Sequence, residues 1–436
     1  MAFEIDLLKL ISRMRTAFLL LEKKVNPETG LLFNYTDDDY RISPPTAEEC
    51  RMGMPNHNGW HCPTEDGAYY SGLYLDALCC RWKYAKDEKA AQAAIRVAAG
   101  LCTLSEIGPD GFVARSYTGP DLAHFSCGSD DQTFPWFYGL WRFLHSGLGD
   151  DELNLRICRN ITRVGNALYN NNFRIPSDPV NFGIRGDYLR APLRDICKLL
   201  FICLVMRDIT KDEIWTERYE AYLYGYPEGS DKTRLSIVLE GSNLPEYDGE
   251  SVFYCIKDGQ NMEYVFGKKR KTTQISLFLR VMANIAINAL CELDKNTERV
   301  AMYRKMLCRE VKHALTHIGR FREIHTLVFP EFNGNWRLLR DYWKPQTNTI
   351  EAGDIAWQQH VPWAKICPRA PFENAFVREP LFAACIAALS ADSAVISENI
   401  SLFYEILTDM PYEKLNSSTF YAALLLHGQL MRAGIV

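Results

Sequence analysis

The sequence predicts an all-α protein, a closed ring of six helical hairpins, and three observations point there. Amphipathic helical segments recur about twelve times along the 436 residues. They alternate between segments apolar nearly all round and segments apolar on one stripe, the marks of buried and outer helices. The links within a pair are a few residues long, whereas five of the links between pairs are much longer. Consecutive antiparallel helices put the two kinds of link at opposite ends, so the long loops share one rim, at the N-termini of the buried helices. Long loops on a rigid scaffold usually build the functional surface. An open solenoid would keep a regular repeat of roughly 34 to 47 residues, and the spacing here is longer and uneven.

The first helix runs from about Glu4 to Lys24, with Leu7, Leu10, Ile11, Met14, Phe18 and Leu21 at helical spacing. A loop rich in Pro, Asn, Tyr and Asp follows over about 25–65. It ends at Thr64-Glu65-Asp66-Gly67, residues of a helix start, where a hydroxyl or carboxylate meets free backbone N–H groups. The buried helix from Asp66 to about Tyr84 carries Ala68, Tyr69, Tyr70, Leu73, Tyr74, Leu75 and Leu78. Ala85-Lys86-Asp87 links it to an outer helix ending near Ser105, with Lys89, Gln92 and Arg96 on its polar face. After a loop around Gly108 to Ser129, a second buried helix begins near Asp131 (Phe134, Trp136, Phe137, Leu140, Trp141), and the turn Gly147 to Asp150 opens an outer helix to about Asn170. A third pair starts near Arg190 and Lys211. An insertion of about 227–271 includes a strand-like stretch, Ser251 to Ile256. The helices Thr273 to Leu293 and Asn296 to Ile318 come next. The longest loop, about 319–372, precedes helices Asn374 to Leu389, Ser393 to Thr408 and Thr419 to Arg432. Residues 1–436 are expected to form one domain with loop insertions at about 25–65, 227–271 and 319–372.

Composition bounds the function. Hydrophobic residues make up 47% and charged residues 24%, ordinary globular usage, and the net charge of −5 offers no basic surface for nucleic acid. No stretch reaches the roughly 18 apolar residues of a membrane span. The fourteen cysteines include adjacent Cys79 and Cys80, and Cys197, Cys203, Cys291 and Cys385 lie in apolar helical stretches. They read as small buried hydrophobes in a reducing, cytoplasmic setting, or a periplasmic one had an export signal been removed. No Cys-x-x-Cys pair is present, which argues against zinc ribbons and thioredoxin-like sites.

Six hairpins with long loops on one rim resemble the (α/α)6 toroid of the six-hairpin glycosidases. Within that superfamily, Glu65-Asp66-Gly67-Ala68-Tyr69-Tyr70-Ser71-Gly72-Leu73-Tyr74 is similar to the start of the second helix of the unsaturated glucuronyl hydrolases. Asp131-Gln132-Thr133-Phe134-Pro135-Trp136 is similar to the start of their fourth. The resemblance implies a hydrolase of unsaturated uronic-acid oligosaccharides with no cofactor and no metal. Asp131 would be general acid and base, and Asp66 its partner.

The residues support that chemistry independently in one respect. Asp66 and Asp131 stand one hairpin apart at equivalent helix starts, and glycosidic cleavage needs two carboxylates facing one cavity. The plainer reading is that both are caps. A helix N-terminus also favours the ionised carboxylate, which an acid must overcome through apolar neighbours such as Trp136 or the charge of Asp130 or Asp66. Trp136 and Asp130 are also expected as substrate contacts. Trp60, Trp336, Trp343, Trp357 and Trp363 fall in the loops beside His57, His61 and His360, suited either to stacking on sugar rings or to packing on one another. Arg185 and Arg115 are candidate clamps for a ligand carboxylate, and Asp187, Glu351 and Asp354 are reserve carboxylates.

Other signals carry less. His313 and His317 have metal-compatible spacing without the zincin glutamate, and Lys268-Lys269-Arg270-Lys271 reads as a solvated loop. Neither Gly-x-Ser-x-Gly nor a phosphate-binding loop occurs. The expected substrate is an oligosaccharide. Two alternatives stay open. One is a polysaccharide lyase or sugar epimerase using His57 or His61; the other is a non-catalytic glycan-binding or assembly module.

Overall fold

The computed structural model describes residues 6–241, the backbone of 253–257 and 261–265, and residues 277–436. The chain is mostly helical, as expected. It divides into two compact units: Glu4–Tyr188 with Glu331–Arg369 and Leu407–Val436, and Leu189–Pro330 with Ala370–Ile406.

In the larger unit, helix Gly67–Ala85 packs against both Asp130–Leu144 and Tyr421–Arg432. All three are buried over most of their length, consistent with their all-round apolar sequences. Helices Leu7–Glu22, Glu88–Glu106 and Asp151–Asn170 bury one stripe each. In Asp151–Asn170 that stripe is Ile157, Ile161, Val164 and Leu168, and the Asp150 carboxylate accepts from the Leu153 N–H to close the first turn.

Two features fix the buried helices against one another. A Cβ on Gly72 would stand 2.2 Å from the Pro135 carbonyl oxygen, and one on Gly139 would stand 2.4 Å from the Gly72 carbonyl oxygen, so the two backbones touch with no room for a side chain. Farther along, the fully buried Asp76 accepts from Arg432 (2.7 Å) and from the Tyr138 hydroxyl (2.8 Å), with the Arg142 Nε at 3.6 Å. One carboxylate thereby ties three helices together, and those charges hold it below the usual carboxylate range against the opposing effect of burial.

The 319–372 stretch, expected as loop, contains helix Thr349–Ile366. Asn348 caps it by accepting from the Ile350 and Glu351 N–H groups, and Ala352, Ile355, Ala356, Gln359 and Trp363 form its buried stripe. Gly353 and Pro362 interrupt an otherwise helical pattern, which is why the sequence reads as loop there. The 25–65 stretch likewise contains the short helix Ala47–Met52, closed by a reciprocal Thr46–Glu49 capping box.

The smaller unit repeats the division of labour. Leu193–Thr210, Leu277–Leu293 and Glu379–Leu389 are buried nearly all round, and Ile214–Tyr224, Thr297–Ile318 and most of Ser393–Asp409 bury one side. A π-helical turn, Asn374–Arg378, precedes Glu379–Leu389. The expected strand is present as Phe253–Lys257, paired antiparallel with Asn261–Val265. Residues 251 and 252, the start of the helix expected from Thr273, and the Lys268–Lys271 run lie outside the described residues. No helix among the described residues is long and apolar enough to cross a membrane.

Candidate active site

The carboxylate cluster lies wholly in the larger unit and is built from four segments, around Asn34, Asp66, Arg115 and Asp131. Asp66 precedes helix Gly67–Ala85, yet its side chain makes no capping hydrogen bond to that helix. It accepts instead from the Gln132 amide (2.7 Å) and the Asn34 amide (3.2 Å), while the Asp66 N–H donates to the Asn34 side-chain oxygen (2.7 Å). Gln132 is fixed in turn because its oxygen accepts from the Tyr69 N–H. Asp131 lies in the first turn of Asp130–Leu144, where it accepts from the Ser129 hydroxyl. Pro135, four residues on, has no N–H to donate to the Asp131 carbonyl. Neither aspartate is the simple cap that its position suggested.

One guanidinium joins them. Arg115 is 2% exposed; its Nη1 stands 3.7 Å from Asp66 Oδ1 and its Nη2 stands 3.9 Å from Asp131 Oδ1. Nη1 also donates to the Glu65 carbonyl oxygen (3.3 Å), and Nε has no hydrogen-bond partner. Sequence reasoning treated Arg115 as a clamp for a ligand carboxylate; its observed role is countercharge to the protein's own carboxylates.

Glu65 is the member that sequence reasoning missed. Its carboxylate accepts from the His61 N–H (2.7 Å), and burial, reinforced by the charge of Asp66, pushes it up to about 8. Burial and then the charge of Asp131 push Asp66 up to about 6, against the pull of Arg115, Gln132 and Asn34. A single arginine cannot neutralise all the charge in so enclosed a place, and Glu65, pushed up to about 8, keeps its proton at neutrality. The signal available in the sequence was adjacency: a second acid beside a candidate catalytic acid.

The aromatic candidates pack on one another. Trp60 meets Trp357 edge-to-face at 4.9 Å, His61 lies 5.3 Å from His360 and stacks on Trp363 at 5.9 Å, and Trp363 reaches Tyr35 at 5.7 Å. Trp60, Trp357 and His360 stay partly exposed, whereas His57 and His61 are buried. Burial pushes His57 down to about 4 and His61 well below its ordinary value. The His57 ring sits 4.8 Å from Phe182, and its Nδ1 is without a partner.

Two tryptophan candidates do other work. Trp136, expected as a substrate contact, is fully buried and donates to the Leu101 carbonyl at 2.7 Å, so it belongs to the core. Trp336 is also buried, bonded to the Ser43 carbonyl. Arg185 donates to the Asn58 side chain at 3.3 Å, and the Asp130 carbonyl accepts from the Tyr188 hydroxyl. Among the reserve carboxylates, Asp187 pairs with Arg174 at 3.7 Å, Glu351 accepts from Thr347 at its helix start, and Asp354 is exposed. His313 and His317 stack on each other in Thr297–Ile318, and no metal-binding group of three or more ligands occurs among the described residues.

Compared with models of known protein families, with curated proteins and with solved structures, the chain matches none.

Proposed function

We propose that the chain is a carbohydrate-active hydrolase that uses Asp66 and Asp131 as an acid–base pair on oligosaccharides, including unsaturated uronides. The observation that carries this reading is the cluster itself: two helix-start carboxylates held by one buried guanidinium, with a third carboxyl, Glu65, alongside. Hydrolysis requires one carboxyl to deliver a proton to the leaving oxygen or to an unsaturated bond of the sugar. It also requires a carboxylate to take a proton from the attacking water. Burial and mutual repulsion supply the first condition at Asp66. The more exposed Asp131, with 23% of its side chain accessible, offers the second. This division inverts the roles that the resemblance implied, in which Asp131 is the proton donor.

The (α/α)6 toroid belongs to the same proposal, supported in both units by helices buried nearly all round alternating, among the described residues, with helices buried on one side. A lyase or epimerase would rest on His57 or His61, and burial weakens both as bases.

Incubation with a panel of neutral and unsaturated uronide oligosaccharides tests the reading. Release of monosaccharide, with loss of the ultraviolet absorbance of unsaturated substrates, is the expected result. Silence across both classes contradicts it, and a gain of ultraviolet absorbance on intact polysaccharide would indicate a lyase.

A further inference from the structure

The larger unit holds a cleft of about 350 Å³ lined by Tyr35, Asp37, Arg41, Phe332, Asn335 and Trp336 among others. We propose that this cleft binds a sugar unit of the oligosaccharide whose scissile bond lies at Asp66 and Asp131. The proposal rests on the hydrolase reading for the identity of its ligand.

The chemistry of the lining selects the ligand class. Phe332 meets Tyr35 edge-to-face at 5.6 Å, which gives the cleft an aromatic wall suited to the apolar face of a pyranose. The polar lining is a paired set rather than a lone charge. The Arg41 guanidinium, three-quarters exposed, leans on Asp39 and stands 3.6 Å from Asp37. Arg337 is held by Glu49 through two bonds of 2.6 and 2.7 Å, by Ser43 and by the Pro44 carbonyl, which occupies its donors. With both arginines already met by carboxylates, the cleft has little net attraction for an anion. Exposed donors and acceptors side by side over an aromatic wall match vicinal hydroxyls.

Its connection to the carboxylates is covalent and short. Asn34, whose amide holds Asp66, is followed directly by Tyr35. Pro63, also in the lining, accepts the Asn34 N–H through its carbonyl (2.7 Å) and lies three residues before Asp66. At 3.8 Å per residue, the Tyr35 backbone stands within about 10 Å of the Asp66 carboxyl. The Tyr35 hydroxyl also donates to the His61 carbonyl (2.8 Å), while the His61 N–H holds Glu65. One loop therefore supports both the carboxylate cluster and the cleft wall. The cleft lining contains none of the cluster residues, so a ring in the cleft and a scissile bond at the carboxylates belong to different units of one oligosaccharide, and the cleft makes recognition depend on chain length.

The test uses the full-length protein with unsaturated uronide disaccharide and tetrasaccharide, and with cellobiose and cellotetraose as neutral counterparts. Binding is read by ligand-observed NMR and turnover in parallel. The variants are Arg41→Ala, Phe332→Ala and Asp131→Asn, each checked for an unchanged melting temperature. The expected result is a tenfold or greater loss of tetrasaccharide affinity in Arg41→Ala and Phe332→Ala, with disaccharide affinity unchanged. If Asp131→Asn abolishes turnover while neither cleft variant shows a length-dependent effect, the subsite is overturned and the hydrolase reading stands. If the cleft variants lose tetrasaccharide binding but no substrate is turned over, the subsite stands and the hydrolase reading falls. Absence of saccharide binding to the unmodified protein, or displacement of tetrasaccharide by adenosine at equal concentration, also overturns the subsite.

Discussion

At the scale of residues, the cluster makes two predictions. Glu65 and Asp66 are raised in the folded state, so the folded protein binds more protons than the unfolded chain between the ordinary carboxylate pKa and the raised values. Their stabilising contribution is complete below about pH 4 and is lost as pH rises through about 6 and then 8. Denaturant titrations should therefore show stability falling with pH across that window, by up to about 1.4 kcal/mol per pH unit for each group. The Glu65→Gln variant should flatten the upper part of the fall, and an unchanged slope would remove Glu65 from the account. Arg115→Met leaves the carboxylates without their countercharge. It should cost about 3–5 kcal/mol at pH 8 and less at pH 5, where the acids can protonate. Equal losses at both values would mean that Arg115 acts through packing alone. Asp66 and Asp131 were legible in the sequence because each stands at a helix start one hairpin from the other. Their partners were not. Asn34, Gln132 and Arg115 come from separate segments, and no local pattern says that their side chains converge.

At the scale of elements, twelve helices were legible because their apolar periodicity is strong; their observed bounds differ from expectation by a few residues. Thr349–Ile366 was hidden by Gly353 and Pro362, and only the Asn348 cap with the spacing of Ile355, Ala356, Gln359 and Trp363 betrays it. Trp136 was misjudged for the opposite reason. Its place near Asp131 suggested a site residue, yet it lies five positions along a buried helix and faces Leu101. The Gly72–Gly139 crossing makes the placement of the aspartates a property of helix packing. Gly72→Ala forces its Cβ against the Pro135 carbonyl and must shift one backbone. The expected cost is about 1–3 kcal/mol of stability, read as a lowered denaturation midpoint. Because Asp66 and Asp131 begin the same two helices, activity should fall by more than the folded fraction does. A normal midpoint in Gly72→Ala would show that the helices have slack.

At the scale of the whole molecule, the composition, the mainly helical content and the lack of a spanning helix among the described residues followed from the sequence. The identity of the substrate did not, because specificity resides in loop side chains whose neighbours are set by tertiary structure. The central claim is that Asp66 and Asp131 act as one acid–base pair. It is tested most directly by kcat/KM for Asp66→Asn and Asp131→Asn on the best substrate of the panel, with native melting temperatures as the control. The account predicts a fall of about 10²–10⁴-fold in each single variant. It also predicts a double variant scarcely worse than either, since groups acting as a unit are not additive. Full turnover in either single variant would contradict it.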